Sequence, residues 1–238
     1  VGSSDPRYPR HIVALTDDLT SLAEALPEGE VKVRRLDKED SSLIFASGSS
    51  RVDRLTLSPD SSTIVTVGFR DDLAWWDLQD TSDPIMRVSA RRAVFSADGG
   101  TLATVTGDGH SIIWDTATRR ERLRIEHGGQ SFGSSVAVSP DGTVLALTFG
   151  IDDFENAVSL WNATTGEHLG TLPGHKQAIW SVAFSPNGRT LASSSADGSL
   201  RLWNVASRRE LMSIAEGDSS LAHLHFSPDG SYLVGGTP

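Results

Sequence analysis

The sequence predicts an all-β fold assembled from one four-stranded unit repeated along the chain. Three observations predict it. The first is local. In residues 172–205, LPGHKQAIWSVAFSPNGRTLASSSADGSLRLWNV, apolar and polar residues alternate as on half-buried strands: Trp180, Val182 and Phe184, then Leu191, then Leu200 and Leu202. The second is punctuation. Ser185-Pro186-Asn187-Gly188 and Asp197-Gly198 read as hairpin turns, because Gly accepts positive φ without steric cost. The third is recurrence. The first-turn Ser returns at Ser58, Ser96, Ser139, Ser185 and Ser227, at intervals of 38, 43, 46 and 42 residues. The third-strand aromatic returns at Trp76, Trp114, Trp161 and Trp203, at intervals of 38, 47 and 42. A period of about 40–45 residues with four strands per unit marks a propeller array.

Gly174-His175 ahead of a first strand, and Trp76-Asp77 and Trp114-Asp115 in third strands, resemble the WD40 repeat family over nearly the whole chain. The resemblance implies an all-β propeller with six blades visible, five four-stranded and a partial sixth, in a six- or seven-bladed ring. The even, near-consensus repeats resemble those of multidomain bacterial proteins, where such propellers accompany kinase, protease or other effector domains. No effector domain lies within these residues.

Taken in order, residues 1–10 carry Pro6 and Pro9 and read as a linker or entry arm, since proline removes ladder donors. Residues 11–47 form a worn first blade. At an offset of 169, Val13-Ala14-Leu15 matches Val182-Ala183-Phe184 and Glu28-Gly29 matches Asp197-Gly198, but Arg34 falls where Trp203 stands. The second blade, 52–89, turns at Ser58-Pro59-Asp60 and has Arg70 where the turn Asp is expected, so the bond that Asp makes should be missing. The third, 90–127, has Ser96-Ala97-Asp98-Gly99 and Asp108-Gly109. The fourth, 132–173, has a second hairpin loop four residues longer than that of the fifth, 178–215. The sixth, 221–238, contributes two strands. Half a blade does not close a ring, so sequence beyond Pro238 is expected to complete it; the alternative is a compact six-bladed ring with one thin blade.

Composition excludes several classes. The chain has 238 residues, 6 Trp and no Cys, so disulfides and Cys-ligated metals are ruled out. Its net charge of −10, from 21 basic and 31 acidic residues, lacks the basic face of a nucleic-acid binder. No run of about 18 apolar residues suits a membrane span, and no secretory leader is visible. A cytoplasmic location without membrane or nucleic-acid partners is expected.

The family's hydrogen-bonded chain of His, Ser or Thr, turn Asp and Trp is implied at His175, Ser193, Asp197 and Trp203. Thr104, Asp108 and Trp114 repeat it without the His, and the fourth blade has Glu155 at the Asp position. A Ser/His/Asp set raises the question of hydrolysis. No strained nucleophile turn accompanies Ser193, so a structural role is expected and no catalytic residue is assigned. His223 and His225 face one side of a first strand and suggest a metal pair, but no third ligand has recognisable spacing. Wet-channel residues are the expectation. The acidic pairs Asp17-Asp18, Asp71-Asp72 and Asp152-Asp153 fit no calcium loop, Asn162-Ala163-Thr164 is a chance acceptor match, and no phosphate-cradling Gly loop occurs. No cofactor and no metal are expected.

The family's partners bind at the rim. Five before each first-turn Ser stand Asp53, Arg91, Ser134, Trp180 and Ala222, with His11 in the worn blade. Phe69, Phe154 and Ala196 precede the turn-Asp position, and Arg51 and Phe132 stand seven before the Ser. Trp, Phe and Arg anchor interfaces. The partner-binding candidates are thus Trp180, Arg91, Arg51, Asp53, Phe69, Phe132 and Phe154, with packing against a neighbouring loop as the alternative for Trp180. The expected function is a non-catalytic interaction scaffold for a protein or peptide. The alternatives are a ligand or metal binder in the central channel, and a structural spacer.

Overall fold

The computed structural model describes residues 12–16, 19–38, 41–127, 135–148, 156–215 and 221–236. These fall into two compact units, one ending at Ser89 and one beginning at Ala90. Both are built from antiparallel sheets whose strands lie in sequence order, the arrangement of propeller blades. No helix of the described residues is long and apolar enough to cross a membrane.

The first unit holds two four-stranded sheets. The first comprises β1 (Val13–Leu15), β2 (Ser21–Ala25), β3 (Glu30–Arg35) and β4 (Ser42–Ala46). The second comprises β5 (Val52–Leu57), β6 (Thr63–Gly68), β7 (Asp72–Asp77) and β8 (Met86–Ser89). Their facing residues make one apolar cluster, in which Val31, Val33 and Phe45 of the first sheet meet Val52, Ile64 and Trp76 of the second. Arg34, where the other sheets carry Trp, pairs with Leu22 at the sheet's exposed margin. Phe45 supplies the aromatic surface instead, with its ring centroid 5.0 Å from that of Trp76. Arg87 ties the two sheets together. Its guanidinium donates to the Ser47 carbonyl at 2.8 Å and lies 5.5 Å from the Trp76 ring.

The second unit holds three four-stranded sheets and one pair. The third sheet is β9 (Arg92–Phe95), β10 (Thr101–Val105), β11 (His110–Asp115) and β12 (Arg120–Glu126). The fourth is β13 (Val136–Val138), β14 (Val144–Thr148), β15 (Val158–Asn162) and β16 (His168–Leu172). The fifth is β17 (Ile179–Phe184), β18 (Thr190–Ser195), β19 (Ser199–Asn204) and β20 (Arg209–Ala215). The pair is β21 (His223–Phe226) and β22 (Leu233–Gly236). Each apolar cluster again spans successive sheets. Ile113 and Ile125 of the third pack with Val138 and Leu145 of the fourth. Leu160 and Leu172 of the fourth pack with Val182 and Trp203 of the fifth.

One local device repeats at the first hairpins and explains the regular Ser. Ser185 Oγ accepts the amide of Thr190 at 3.0 Å and donates to Asn187 Oδ1 at 2.8 Å, while Asn187 accepts the Arg189 amide at 3.0 Å. Ser58 with Asp60, Ser96 with Asp98, Ser139 with Asp141 and Ser227 with Asp229 do the same. A short polar side chain that satisfies backbone donors in its own turn is the reason for this residue choice. At the exposed turn of Asp229, the hydrogen bonds from Ser227 and Ser231 draw the carboxyl down to about 2.

The alternation expected through Trp180, Val182 and Phe184 does not hold. Ile179 pairs with Ser195 and Ser181 with Ser194, so Trp180 is the extra residue of a bulge. Val182 is buried and Trp180 exposed. A bulge adds one residue to one strand and shifts the phase of all that precede it.

Candidate functional site

The fifth sheet assembles the polar chain from four segments. The buried indole of Trp203 on β19 donates to Ser193 Oγ on β18 at 2.8 Å. Ser193 lies 2.8 Å from His175 Nε2, and His175 Nδ1 lies 3.1 Å from Asp197 Oδ2. The directions follow from chemistry. A carboxylate only accepts, so the imidazole carries its proton on Nδ1 and its Nε2 accepts the Ser193 hydroxyl proton. Asp197 also accepts the Lys176 amide at 2.8 Å and the Ser199 amide and hydroxyl at 2.9 and 2.6 Å. Burial pushes the His175 imidazole below the ordinary histidine range despite the adjacent carboxylate. Burial alone would raise the Asp197 carboxyl, but hydrogen bonds from Ser199, Lys176 and His175 hold it well below the usual carboxylate range.

This arrangement joins Ser, His and Asp in the order of a hydrolytic triad, yet its chemistry is different. Ser193 is 0% exposed and its oxygen already accepts the indole proton. A nucleophile needs open space on the side from which a substrate carbonyl approaches. The chain instead ties the segment before β17 to β18, the following turn and β19.

In the third sheet, Trp114 donates to Thr104 Oγ1 at 2.9 Å. Asp108 does not join them, contrary to the expected set. Its side chain is 73% exposed and bonds Thr106 and His110 within its own turn. No His precedes that first strand to bridge the carboxylate to Thr104, so the turn keeps its Asp outside. In the second sheet, Trp76 donates to Thr66 at 3.1 Å, a residue the sequence analysis did not single out. The signal was present: Thr66, Thr104 and Ser193 each stand ten before their Trp.

The rim candidates fall into separate groups. On the first unit, Arg51 and Asp53 form an ion pair at 2.7 Å, and Asp53 is the extra residue of a bulge between Val52 and Arg54. Phe69, 51% exposed, lies under two guanidiniums, Arg51 at 5.7 Å and Arg70 at 5.3 Å. Arg70 and Asp71 both have positive φ, 63° and 64°, so this turn holds two side chains in left-handed backbone. On the second unit, Trp180 is 41% exposed at the same bulge position as Asp53. Arg91 is half-buried with its guanidinium over Gly107, where a Cβ would come within 2.9 Å of Nε. Phe132, Phe154, Glu155, Ser134, His11, Asp17-Asp18 and Asp152-Asp153 lie outside the described residues. His223 and His225 are both exposed. Among the described residues, no group of three His, Asp or Glu side chains is placed to hold a metal ion.

Comparison with known proteins matches one repeat and part of the chain. Residues 166–204, from β16 to β19, match the family described as WD domain, G-beta repeat. Eukaryotic translation initiation factor 3 subunit I of Aspergillus terreus and that of Emericella nidulans are each 44% identical over 80 residues, 34% of this chain and 24% of theirs. The same subunit of Pyricularia oryzae is 36% identical over 104 residues, 44% of this chain and 29% of its own. The chain thus spans about a quarter of the length of these relatives. They are all eukaryotic, which overturns the multidomain bacterial source expected from the style of the repeats. The repeat at 166–204 is thus of WD40 type, and the all-β sheets are of the WD40 propeller-blade kind.

Proposed function

We propose that the chain is a non-catalytic interaction module that holds a protein or peptide partner through the residues displayed where its first strands and second hairpins begin. The carrying observation is the bulge in β17, which sets an indole outward at 41% exposure. Large aromatic side chains held on rigid strands are effective interface anchors, because little conformational freedom is lost on binding. Trp180, Arg91, Arg51, Asp53 and Phe69 are the anchors we assign, with Phe132 and Phe154 as further candidates from the sequence. The likeness to translation initiation factor 3 subunit I supports a partner that is another subunit of a multi-subunit cytoplasmic assembly. The net charge of −10 argues against a nucleic-acid backbone as that partner. We read the sheets as successive blades with the boundaries given above for residues 11–238, preceded by an arm at 1–10.

The test is co-purification from lysate with the wild-type chain and with a folded Trp180→Glu, Arg91→Glu double variant. Subunits of translation initiation factor 3, or another defined set of proteins, should be retained by the first and lost by the second. Equal retention by both removes the rim assignment.

A further inference from the structure

The repeat allows one junction between sheets to be compared with the next. Between the third and fourth sheets, the extra residue of the β11–β12 bulge is Arg122, since Ile113 pairs with Leu123 and Trp114 with Glu121. Its guanidinium crosses the junction, donating to the Ala163 carbonyl at 3.1 Å and to Thr101 Oγ1 at 3.4 Å. The junction is tight: a Cβ on Gly142 would fall 2.6 Å from Thr101 Oγ1.

The next junction, between the fourth and fifth sheets, is different at each equivalent position. The extra residue of the β15–β16 bulge is Leu169, because Leu160 pairs with Gly170 and Trp161 with His168. Val144 stands in place of Thr101, and the apolar Leu169 has no donor with which to bridge the junction as Arg122 does next door. A Cβ on Gly188, the counterpart of Gly142, would meet nothing closer than Pro140 at 3.5 Å. The result is an open groove of about 490 Å³. Val144, Leu160, Leu169 and Val205 make its floor, and Arg189 and Arg208 stand at its mouth. Arg208 replaces Gly166 of the preceding turn and keeps its left-handed backbone, with φ 58°, while its guanidinium bonds the Leu169 carbonyl. Arg189 is exposed, and its backbone makes its hydrogen bonds, the amide donating to Asn187 and the carbonyl accepting from Val205.

We propose that this groove binds a short partner segment in which an apolar side chain neighbours an acidic one. The volume suits one or two aliphatic side chains. The two guanidiniums at the mouth supply fork-shaped donors for a carboxylate. Their position in a protein of net charge −10 makes them a local exception that a basic segment would not use. This surface shares no residue with the rim, so it stands or falls separately from the proposed function.

The experiment uses the whole chain and two dye-labelled five-residue peptides, one alternating glutamate and leucine, the other lysine and leucine. Fluorescence anisotropy should give the glutamate peptide a Kd of about 0.1–1 mM, the range that a few side chains reach, and no binding of the lysine peptide. Arg189→Glu should weaken the glutamate peptide about tenfold or more. Leu169→Arg, which copies the plug of the neighbouring junction, should do the same, whereas Arg120→Glu should leave it unchanged. Arg189 is exposed, so its variant keeps the fold and the test remains readable. Equal binding of both peptides, indifference to Arg189→Glu, or no binding up to about 5 mM overturns the proposal. So does a concentration-dependent dimer that Arg189→Glu dissolves, which would assign the groove to a second copy.

Discussion

Trp161 packs in the same apolar cluster as Leu147, and its buried indole N–H has no hydrogen-bond acceptor among the described residues. The register explains why. Trp161 pairs with Leu145, as Trp203 pairs with Leu191 and Trp114 with Leu102. Two positions further along the second strand, the fifth and third sheets offer Ser193 and Thr104, and the fourth offers Leu147. The deficit separates four otherwise equivalent tryptophans. Trp→Phe removes a similar volume at each. At Trp203, Trp114 and Trp76 it also leaves a buried hydroxyl without its donor, a further loss of about 1–3 kcal/mol. Urea unfolding midpoints should therefore fall for these three and much less for Trp161→Phe. Four equal shifts would mean the indole bonds contribute nothing.

The two tryptophans of the fifth sheet should behave in opposite ways. Trp203 is 1% exposed and Trp180 41%. Trp203→Ala should destabilise by roughly 3–5 kcal/mol as a buried aromatic deletion. Trp180→Glu should leave the melting temperature nearly unchanged while removing partner binding. A large fall in melting temperature for Trp180→Glu would make it a packing residue.

The two turn aspartates should differ as well. Asp197→Asn loses a charge that accepts from Lys176, Ser199 and His175, and should destabilise by about 1–3 kcal/mol. Asp108→Asn, at an exposed turn, should stay within about 0.5 kcal/mol of wild type. Thermal melts of both variants at pH 7 make the comparison.

The pH dependence has two windows. His175 has a folded pKa below its unfolded value of about 6.5, so below that pH the unfolded chain binds more protons. This stability is complete above about pH 6.5 and declines as the pH falls further. Asp197 is also depressed, so its contribution is present above the unfolded carboxyl value of about 3.9 and is lost as pH falls through the folded one. Melting temperature between pH 8 and 3 should decline first below about 6.5 and again below about 4. His175→Gln should remove the first decline, and Asp197→Asn should shrink the second, to which turn carboxyls such as Asp229 also contribute. An unchanged profile in either variant would place that titration elsewhere.

What was legible in the sequence was local or strictly periodic. The first hairpins are written in Ser and Asp two apart, because the side chains satisfy the turn they sit in. Ser193 and Trp203 were legible because a hairpin of constant length keeps them ten apart. The longer loop of the fourth sheet hides the same relation, since Leu147 stands fourteen before Trp161. The bulge at Trp180 was illegible, because it depends on which residue of β18 pairs with which of β17. Asp108 matched by spacing, but its place was decided by an absent histidine, a partner far away along the chain. The groove beside Leu169 was invisible for a similar reason: its walls come from two sheets, and it opens because Leu169 stands where the neighbouring junction has the bridging Arg122.

The apolar clusters described for the second unit are shared by successive sheets, which has a consequence for how the molecule opens. Leu200 of the fifth sheet meets Leu224 of the terminal pair in a cluster much smaller than the one Leu160 and Trp203 share. Coupling of this nearest-neighbour kind makes unfolding a propagating event rather than a single leap. Amide exchange in deuterium oxide should run as a gradient, fast in β21 and β22, slower in β20, and slowest in β14 and β18, where the backbone is enclosed from both sides. The small cluster of Leu200 and Leu224 would act as a fuse, the contact that opens first and leaves the tryptophan-tied sheets intact.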